Sequence, residues 1–412
     1  MEKQKKKRQK KFKMPGWVNF VFTTVSLLYL KLKYRFKANR KVLKEHKDGC
    51  LLFYTHYSNK DHYVIKASTG YRRCTYVLAS SFFLNKILNK ILTWSRSISK
   101  DQFKPDISAI RNMRNALDNN QIVVIAPAGQ TTIDGNSPFI SRSVVKFVRM
   151  CKVDVLALQT RGVYLTFPKW RNKKSKRKCA MSTEFKVVLK KEDIPNLTDD
   201  EIYQKIVASL DVREYEDQLT LKRKIKSKNN IYGLENVIVK CPICGKEHSF
   251  YYEDNHIICD KCHLSITMDE YGFFKTNNDK FKFKMLPEIY KWQKEQFGQK
   301  YLDGYTFNTP AKLLTNMYKE KEFEDLGEGL VTLSKEEFKF EININGENKT
   351  FSFNQHMITQ LPFDPGHRFE IPNEDCIFRL YPDNIKEVMD YVLVIDYLND
   401  LREKDESNPK KE

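Results

Sequence analysis

The chain has 412 residues, enough for two or three domains. Its 72 Lys and Arg against 52 Asp and Glu give a net charge of +20, which directs it toward anionic partners such as nucleic acid, phospholipid surfaces or phosphorylated substrates. Nine cysteines, an odd number with four of them tightly spaced, argue against a disulfide framework and for a reducing compartment with a metal site.

The first thirteen residues carry Lys3, Lys5, Lys6, Lys7, Arg8, Lys10, Lys11 and Lys13. An apolar segment from Trp17 to Leu30 follows, and then Lys31, Lys33, Arg35 and Lys37. Spanning a bilayer takes about 20 apolar residues, so this run is too short. No small-residue cleavage site follows, as a signal peptide would require. The pattern predicts an interfacial anchor over 1–48. Aromatic and aliphatic residues would dip into lipid while lysines meet anionic headgroups, on the cytoplasmic face and without crossing it. The alternative is a disordered basic arm followed by a core helix.

Leu51-Leu52-Phe53-Tyr54 reads as a short buried strand. His56 therefore sits where a strand ends and a loop begins, with Asp61 five residues on. On one continuous helix that spacing is about 500° of turn, leaving the side chains roughly 140° apart. They meet only if His56 precedes the helix and Asp61 lies in its first turn, where Ser58 would serve as N-cap. The plainer reading is that Ser58 and Asp61 form a capping box and nothing more.

The next elements alternate. A helix is predicted over Ser80–Trp94, with Phe83, Leu84, Ile87, Ile91 and Leu92 forming a core stripe. Ser97-Ile98-Ser99-Lys100-Asp101 follows, and then a helix from Asp106, its cap, to Asn119. The strand Ile122–Ala126 runs into Pro127-Ala128-Gly129-Gln130-Thr131-Thr132. A strand over Asp154–Gln159 runs into Arg161-Gly162-Val163-Tyr164. Residues 169–178 form a dense basic run, read first as a solvated loop and otherwise as a second contact with headgroups or donor phosphates. Thr198 caps a helix through Leu210, with Glu201 completing a capping box. Alternation of this kind defines an α/β domain over 49–221.

The order of these segments resembles the glycerolipid acyltransferase family over roughly residues 15 to 215. His56 and Asp61 match its H-x-x-x-x-D motif, and Lys100 resembles the basic residue that holds the acceptor phosphate. Pro127-Ala128-Gly129 stands where the family usually has Pro-Glu-Gly, so Ala128 lacks the expected carboxylate. The fourth motif falls at 153–158 without its proline. The resemblance implies His56 and Asp61 as catalytic residues, and Lys100, Gly129, Gln130 and Thr131 as substrate-binding. It also implies acyl-CoA, acyl-ACP or acyl phosphate as donor, and a lysophospholipid or related glycerolipid as acceptor.

A polar linker, 222–235, precedes Cys241-Pro-Ile-Cys244 and, fourteen residues on, Cys259-Asp-Lys-Cys262. Two such pairs fit a tetrahedral zinc site in a ribbon over 236–275, with Gly245 permitting the turn. Four thiolates leave no open position, so the zinc would be structural. His248, His256 and His263 read as surface residues. A helical connector, 276–324, is centred on Phe281–Phe297. Short alternating runs at 329–333, 338–342, 350–353, 368–371 and 377–380 follow, with Asn345-Gly346 as a hairpin turn and a closing helix from Pro382 to Leu401. Together they predict a small β-rich domain over 325–402, similar in pattern to a pleckstrin-homology barrel, before a charged tail over 403–412. A nucleic-acid-binding zinc-ribbon protein is disfavoured, because the basic tracts flank the apolar segment and not the ribbon. A catalytically silent lipid-surface scaffold is the other alternative.

Overall fold

The structure, a computed structural model, describes residues 13–83, 85–101, 106–171, 176–317, 322–344, 346–355, 358, 360–373 and 376–407. The arm at 1–12, Leu84, Pro105, the middle of the basic run (172–175), Asn345 and the tail from 408 lie outside the described residues. The chain divides into two compact units, Met1–Pro168 with Lys178–Asp217, and Lys169–Arg177 with Gln218–Glu412.

The first unit opens on helix α1 (Gly16–Tyr34), followed by β1 (Lys37–Asn39) and α2 (Lys41–Glu45). Next come β2 (Cys50–Tyr54), α3 (Asp61–Thr69), β3 (Cys74–Ala79), α4 (Lys86–Trp94), β4 (Ile98–Lys100), α5 (Ile107–Asp118) and β5 (Ile122–Ile125). They are followed by α6 (Ser143–Cys151), β6 (Asp154–Arg161), the single turn α7 (Val163–Thr166), β7 (Ser182–Leu189), α8 (Asp199–Leu210) and α9 (Glu214–Leu221). The seven strands form one sheet in the order β1-β7-β6-β2-β5-β3-β4, parallel except where β7 runs antiparallel to β6. Because successive strand side chains point to opposite faces, the central strands feed two cores. Leu51, Phe53, Val123, Val155 and Ala157 meet α5, α6 and α8 on one face, whereas Cys50, Leu52, Ile122, Val124, Leu156 and Leu158 meet α2 and α3 on the other.

Three local readings change. The helix expected over Ser80–Trp94 is a 3-10 turn, Ser80–Phe83, and then α4, because Asn85 caps a new start by accepting from the N–H groups of Ile87 and Leu88. Its stripe is not core: Ile87, Ile91 and Trp94 are exposed and only Leu92 is buried. The basic run is not all solvated either, since Arg177 is buried with its guanidinium 5.1 Å from the Trp170 ring centroid. Asp106 caps α5 and Thr198 with Glu201 caps α8, as their sequences predict.

The second unit begins with a four-stranded antiparallel sheet, β8 (Phe250–Glu253), β9 (His256–Cys259), β10 (Ser265–Met268) and β11 (Phe274–Thr276). Helix α10 runs Leu286–Leu302, later than the expected start at Phe281. A seven-stranded antiparallel sheet follows: β12 (Phe307–Met317), β13 (Glu324–Leu333), β14 (Phe338–Ile344), β15 (Glu347–Phe353), β16 (Phe363–Asp364), β17 (Arg368–Pro372) and β18 (Cys376–Pro382). Its order is β15-β14-β13-β12-β18-β17-β16, and α11 (Val388–Ser407) closes the chain after a 3-10 turn at Ile385–Glu387. The central strand β12 falls where the sequence reading places the helical connector 276–324, and it carries Pro310, a residue disfavoured in a strand interior. In the sheet Pro310 pairs with Leu330 of β13, while pairing to β18 begins only at Ala311, so the missing N–H leaves no gap in the ladder.

Helices α10 and α11 approach closely at Gly298, where a Cβ would stand 2.1 Å from the Tyr397 ring. Gly298→Ala should raise helix propensity by about 1 kcal/mol yet lose more to overpacking, typically about 1–3 kcal/mol. A net fall in the denaturation midpoint is expected; a rise would show that the ring moves aside freely.

Candidate active site and candidate metal centre

β2 ends at Tyr54, and the next residues turn away from the sheet at its carboxyl edge. Thr55 donates its hydroxyl to the Leu210 carbonyl at 2.9 Å, and the Tyr57 hydroxyl donates to that of Val212 at 3.3 Å. These two bonds tie the loop to the end of α8. Helix α3 starts at Asp61, so the geometry required by the five-residue spacing is met: His56 Nδ1 lies 2.7 Å from Asp61 Oδ2. Asp61 is buried, and its carboxylate also accepts from the N–H of Tyr57 at 2.9 Å and the N–H of Ser58 at 3.2 Å. A buried carboxylate needs such donors to remain charged. His56 is a quarter exposed, and its Nε2 has no hydrogen-bond partner among the described residues.

Ser58 does not cap α3 as expected. Its hydroxyl accepts from the Lys60 N–H at 3.0 Å, and Lys60 is the residue preceding the helix. Half of the capping box is present, since Asp61 reaches back to the Ser58 N–H, but the same carboxylate also holds His56. The capping and imidazole-holding roles are therefore carried by one side chain.

β5 lies beside β2, and the turn after it packs against the His56 loop: the Thr132 N–H donates to the His56 carbonyl at 3.0 Å. Gly129 has φ +73°, a left-handed conformation that favours glycine. Gln130 Oε1 is buried without a partner among the described residues. Ala128 is buried in the hydrophobic core, so a glutamate in its place would have to desolvate its charge there. Lys100 sits at the end of β4, three strands from β2, which is about 14 Å at the usual strand spacing. Burial lowers its pKa against the opposing pull of Asp106 and Asp101, and its Nζ donates to the Asp101 carbonyl at 3.2 Å. The structure thus gathers His56, Asp61 and the Gly129–Thr131 turn, and leaves Lys100 at the far end of the same sheet edge. The anchoring bonds of Thr55, Tyr57 and Thr132 are not legible in the sequence, for their partners are remote in the chain.

In the second unit, the sulfurs of Cys241, Cys244, Cys259 and Cys262 lie within 4.8 Å of one another. Cys241 and Cys262 are 3.5 Å apart, and Cys244 and Cys259 3.7 Å. Four sulfurs about 2.3 Å from one zinc ion would be about 3.8 Å apart, so the donor set and spacing fit. Gly245 and His263, each following the second cysteine of a pair, both adopt left-handed backbone at φ +72° and +55°. Their N–H groups donate to the carbonyls of Cys241 and Cys259, which makes two matching turns. The Ser249 hydroxyl lies 3.2 Å from Cys259 Sγ, a second contact on that sulfur.

The first unit is thus an α/β sheet with a His–Asp pair at its carboxyl edge. Among solved structures the chain is similar to the 1-acyl-sn-glycerophosphate (LPA) acyltransferase of Thermotoga maritima, with 13% identity over 46% of this chain and 73% of that one and a TM-score of 0.38. No protein-family model matches the chain. No curated protein matches it either.

Proposed function

We propose that the protein is a membrane-associated acyltransferase moving a fatty acyl group from an acyl thioester to the hydroxyl of a lysophospholipid or related glycerolipid. The observation that carries this reading is the His56–Asp61 pair, its Nδ1 fixed on a buried carboxylate and its Nε2 without a partner among the described residues. In that tautomer Nε2 takes the acceptor's hydroxyl proton as its oxygen attacks the thioester carbonyl. The C–S bond then breaks, and the imidazolium returns the proton to the leaving thiolate. Asp61 steadies the imidazolium. The unpaired oxygen of Gln130 offers an acceptor for a polar group on the lysolipid, where Ala128 supplies none. Lys100, so far from His56, would reach the phosphate of an extended acceptor only. Incubating the purified protein with a labelled acyl thioester and a panel of lysolipids tests the reading; no transfer to any of them would overturn it.

The membrane part of the proposal rests on α1. Its buried face is Asn19, Thr23, Ser26, Leu30 and Tyr34, whereas Trp17, Phe20, Val21, Val25, Leu28 and Leu32 are exposed, Leu32 by 82%. The first part of this polar face is satisfied near the end of α3: Asn19 donates to the Tyr71 carbonyl at 2.7 Å and accepts from Lys66 Nζ at 2.6 Å, and Thr23 donates to the Gly70 carbonyl at 3.1 Å, whereas Ser26 Oγ has no partner among the described residues. A helix that buries its polar residues and exposes its apolar ones fits an apolar exterior. The exposed Ile87, Ile91 and Trp94 of α4 extend this surface, and Trp94 meets Trp17 at 5.9 Å between ring centroids. No helix among the described residues is long and apolar enough to cross a membrane. Replacing Trp17, Val25 and Leu28 together by Ser should weaken liposome binding by more than about tenfold, since each inserted side chain contributes about 1.5–3 kcal/mol. The melting temperature should hold. Unchanged co-sedimentation would remove α1 as the anchor.

The four thiolates would hold zinc as a structural ion, one whose chemistry is to fix the two turns. For the last sheet, the placement of β12 between β13 and β18, with a helix after the final strand, supports a pleckstrin-homology-like module.

A further inference from the structure

A cleft of about 460 Å³ opens at the amino ends of the parallel strands, and Lys13, Lys47, Arg72 and Arg73 line it together with Phe20 and Tyr71. Lys47 precedes β2 and Arg73 precedes β3, so the cleft lies at the opposite end of the strands from His56, about 17 Å along the five residues of β2. It is separate from the site described above.

Its charge is unbalanced. No carboxylate lines it, and among the described residues neither Lys47 nor Arg73 pairs with one. Arg72 is already committed: its guanidinium donates to the carbonyls of Leu43, His46, Lys47 and Asp48, which fixes the backbone carrying Lys47. Arg73 is different. Its Nη2 lies against the first residue of α1, 3.4 Å from where a Cβ at Gly16 would stand. That helix has 19 residues, no acidic residue in its first turn and no side chain capping it, because Pro15 precedes it. The amides of its first turn present partial positive charge. A guanidinium placed against the positive end of a helix is repelled, unless an anion lies between them and accepts from both. Phe20 and Tyr71, stacked at 5.7 Å and both exposed, form an apolar wall beside this positive end.

We propose that this cleft is a non-catalytic site for a terminal phosphate group, a phosphomonoester or free phosphate, held by Arg73, Lys47, Lys13 and the first-turn amides of α1. The phosphate can come from an anionic phospholipid whose chains lie along Phe20 and the exposed face of α1, or from a soluble phosphate compound. The site does not depend on the acyltransferase reading.

The test uses the full chain and reads binding, not turnover. Calorimetry with inorganic phosphate is one arm. Flotation with phosphatidylcholine vesicles carrying either phosphatidic acid or, at matched surface charge, phosphatidylserine is the other. The double variant Lys47→Gln/Arg73→Gln is compared with Lys190→Gln/Lys191→Gln, which removes the same charge from exposed positions elsewhere. The expected result is phosphate binding in at least one arm, weakened about tenfold or more in the cleft variant and less than about twofold in the control. Heat with free phosphate identifies a soluble ligand; preference for phosphatidic acid over phosphatidylserine without such heat identifies a headgroup. Equal binding to both kinds of vesicle with no phosphate heat, or an equal loss in the control, overturns the proposal and leaves only a general positive surface.

Discussion

His56→Ala is expected to lower acyl transfer by at least about a hundredfold, the lower bound for a positioned general base, with circular dichroism and melting close to those of the parent protein. The His56 imidazole is a quarter exposed and among the described residues bonds only to Asp61, so little of the fold depends on that side chain. Asp61→Asn is expected to behave differently. With its amide oxygen in the place of Oδ2, toward His56, Tyr57 and one of the two contacts of the Ser58 N–H, the Asn nitrogen takes the place of Oδ1 and sets a second donor against that N–H. A buried donor without a partner costs about 1–3 kcal/mol. This variant should therefore lose stability as well as at least about tenfold in rate, the charge beside the imidazolium being gone. The double variant should be no slower than His56→Ala, because groups acting as a unit do not add. A His56→Ala protein that transfers acyl groups at the parent rate would remove His56 as the base, and strictly multiplying losses would reduce Asp61 to a helix-start residue.

The second large effect concerns the ribbon. Native protein purified without chelator should carry one zinc per chain by elemental analysis, and Cys244→Ser should unfold the segment around β8–β11. Structural zinc contributes about 10–16 kcal/mol in small finger peptides at neutral pH, far more than four short strands can supply by packing. Limited proteolysis should then cut near residues 241–262 in the variant or after chelation, and nowhere near there in the zinc-loaded protein. Resistance to cleavage without metal would mean that the sheet and α10 hold the two turns by themselves.

Much of this was readable from neighbours in the chain. His56 and Asp61 are five apart, and a strand-end histidine with a first-turn carboxylate is the one arrangement that lets them meet. The cysteine pairs are each a local turn, and Thr198 with Glu201 is a local cap. What escaped was settled by distant partners or by small exceptions. β1 is three residues long and becomes a strand only through Ser182–Glu184 of β7. β12 hides behind Pro310, tolerated because pairing with β18 starts one residue later. The break at Asn85 outweighs an apolar stripe that looked like core, and that stripe points outward instead. Nor does any spacing reveal that Gly16 lets Arg73 lie against a helix start.

The bonds that tie the His56 loop to α8 also set a clock. Thr55 and Tyr57 each wait for a carbonyl 155 residues downstream. At ribosomal rates of about 5–20 residues per second, roughly 8–30 s of synthesis separate the pair from its anchors. During that time the nascent chain carries both His56 and Asp61 but lacks the two bonds that tie their loop to the end of α8. Every strand of the first sheet has been made by Leu189 and its last anchor by Val212, all before Cys241 is synthesised. The order of translation therefore supplies every strand of the α/β sheet before the four cysteines, so capture of a metal by them would be a separate, later event.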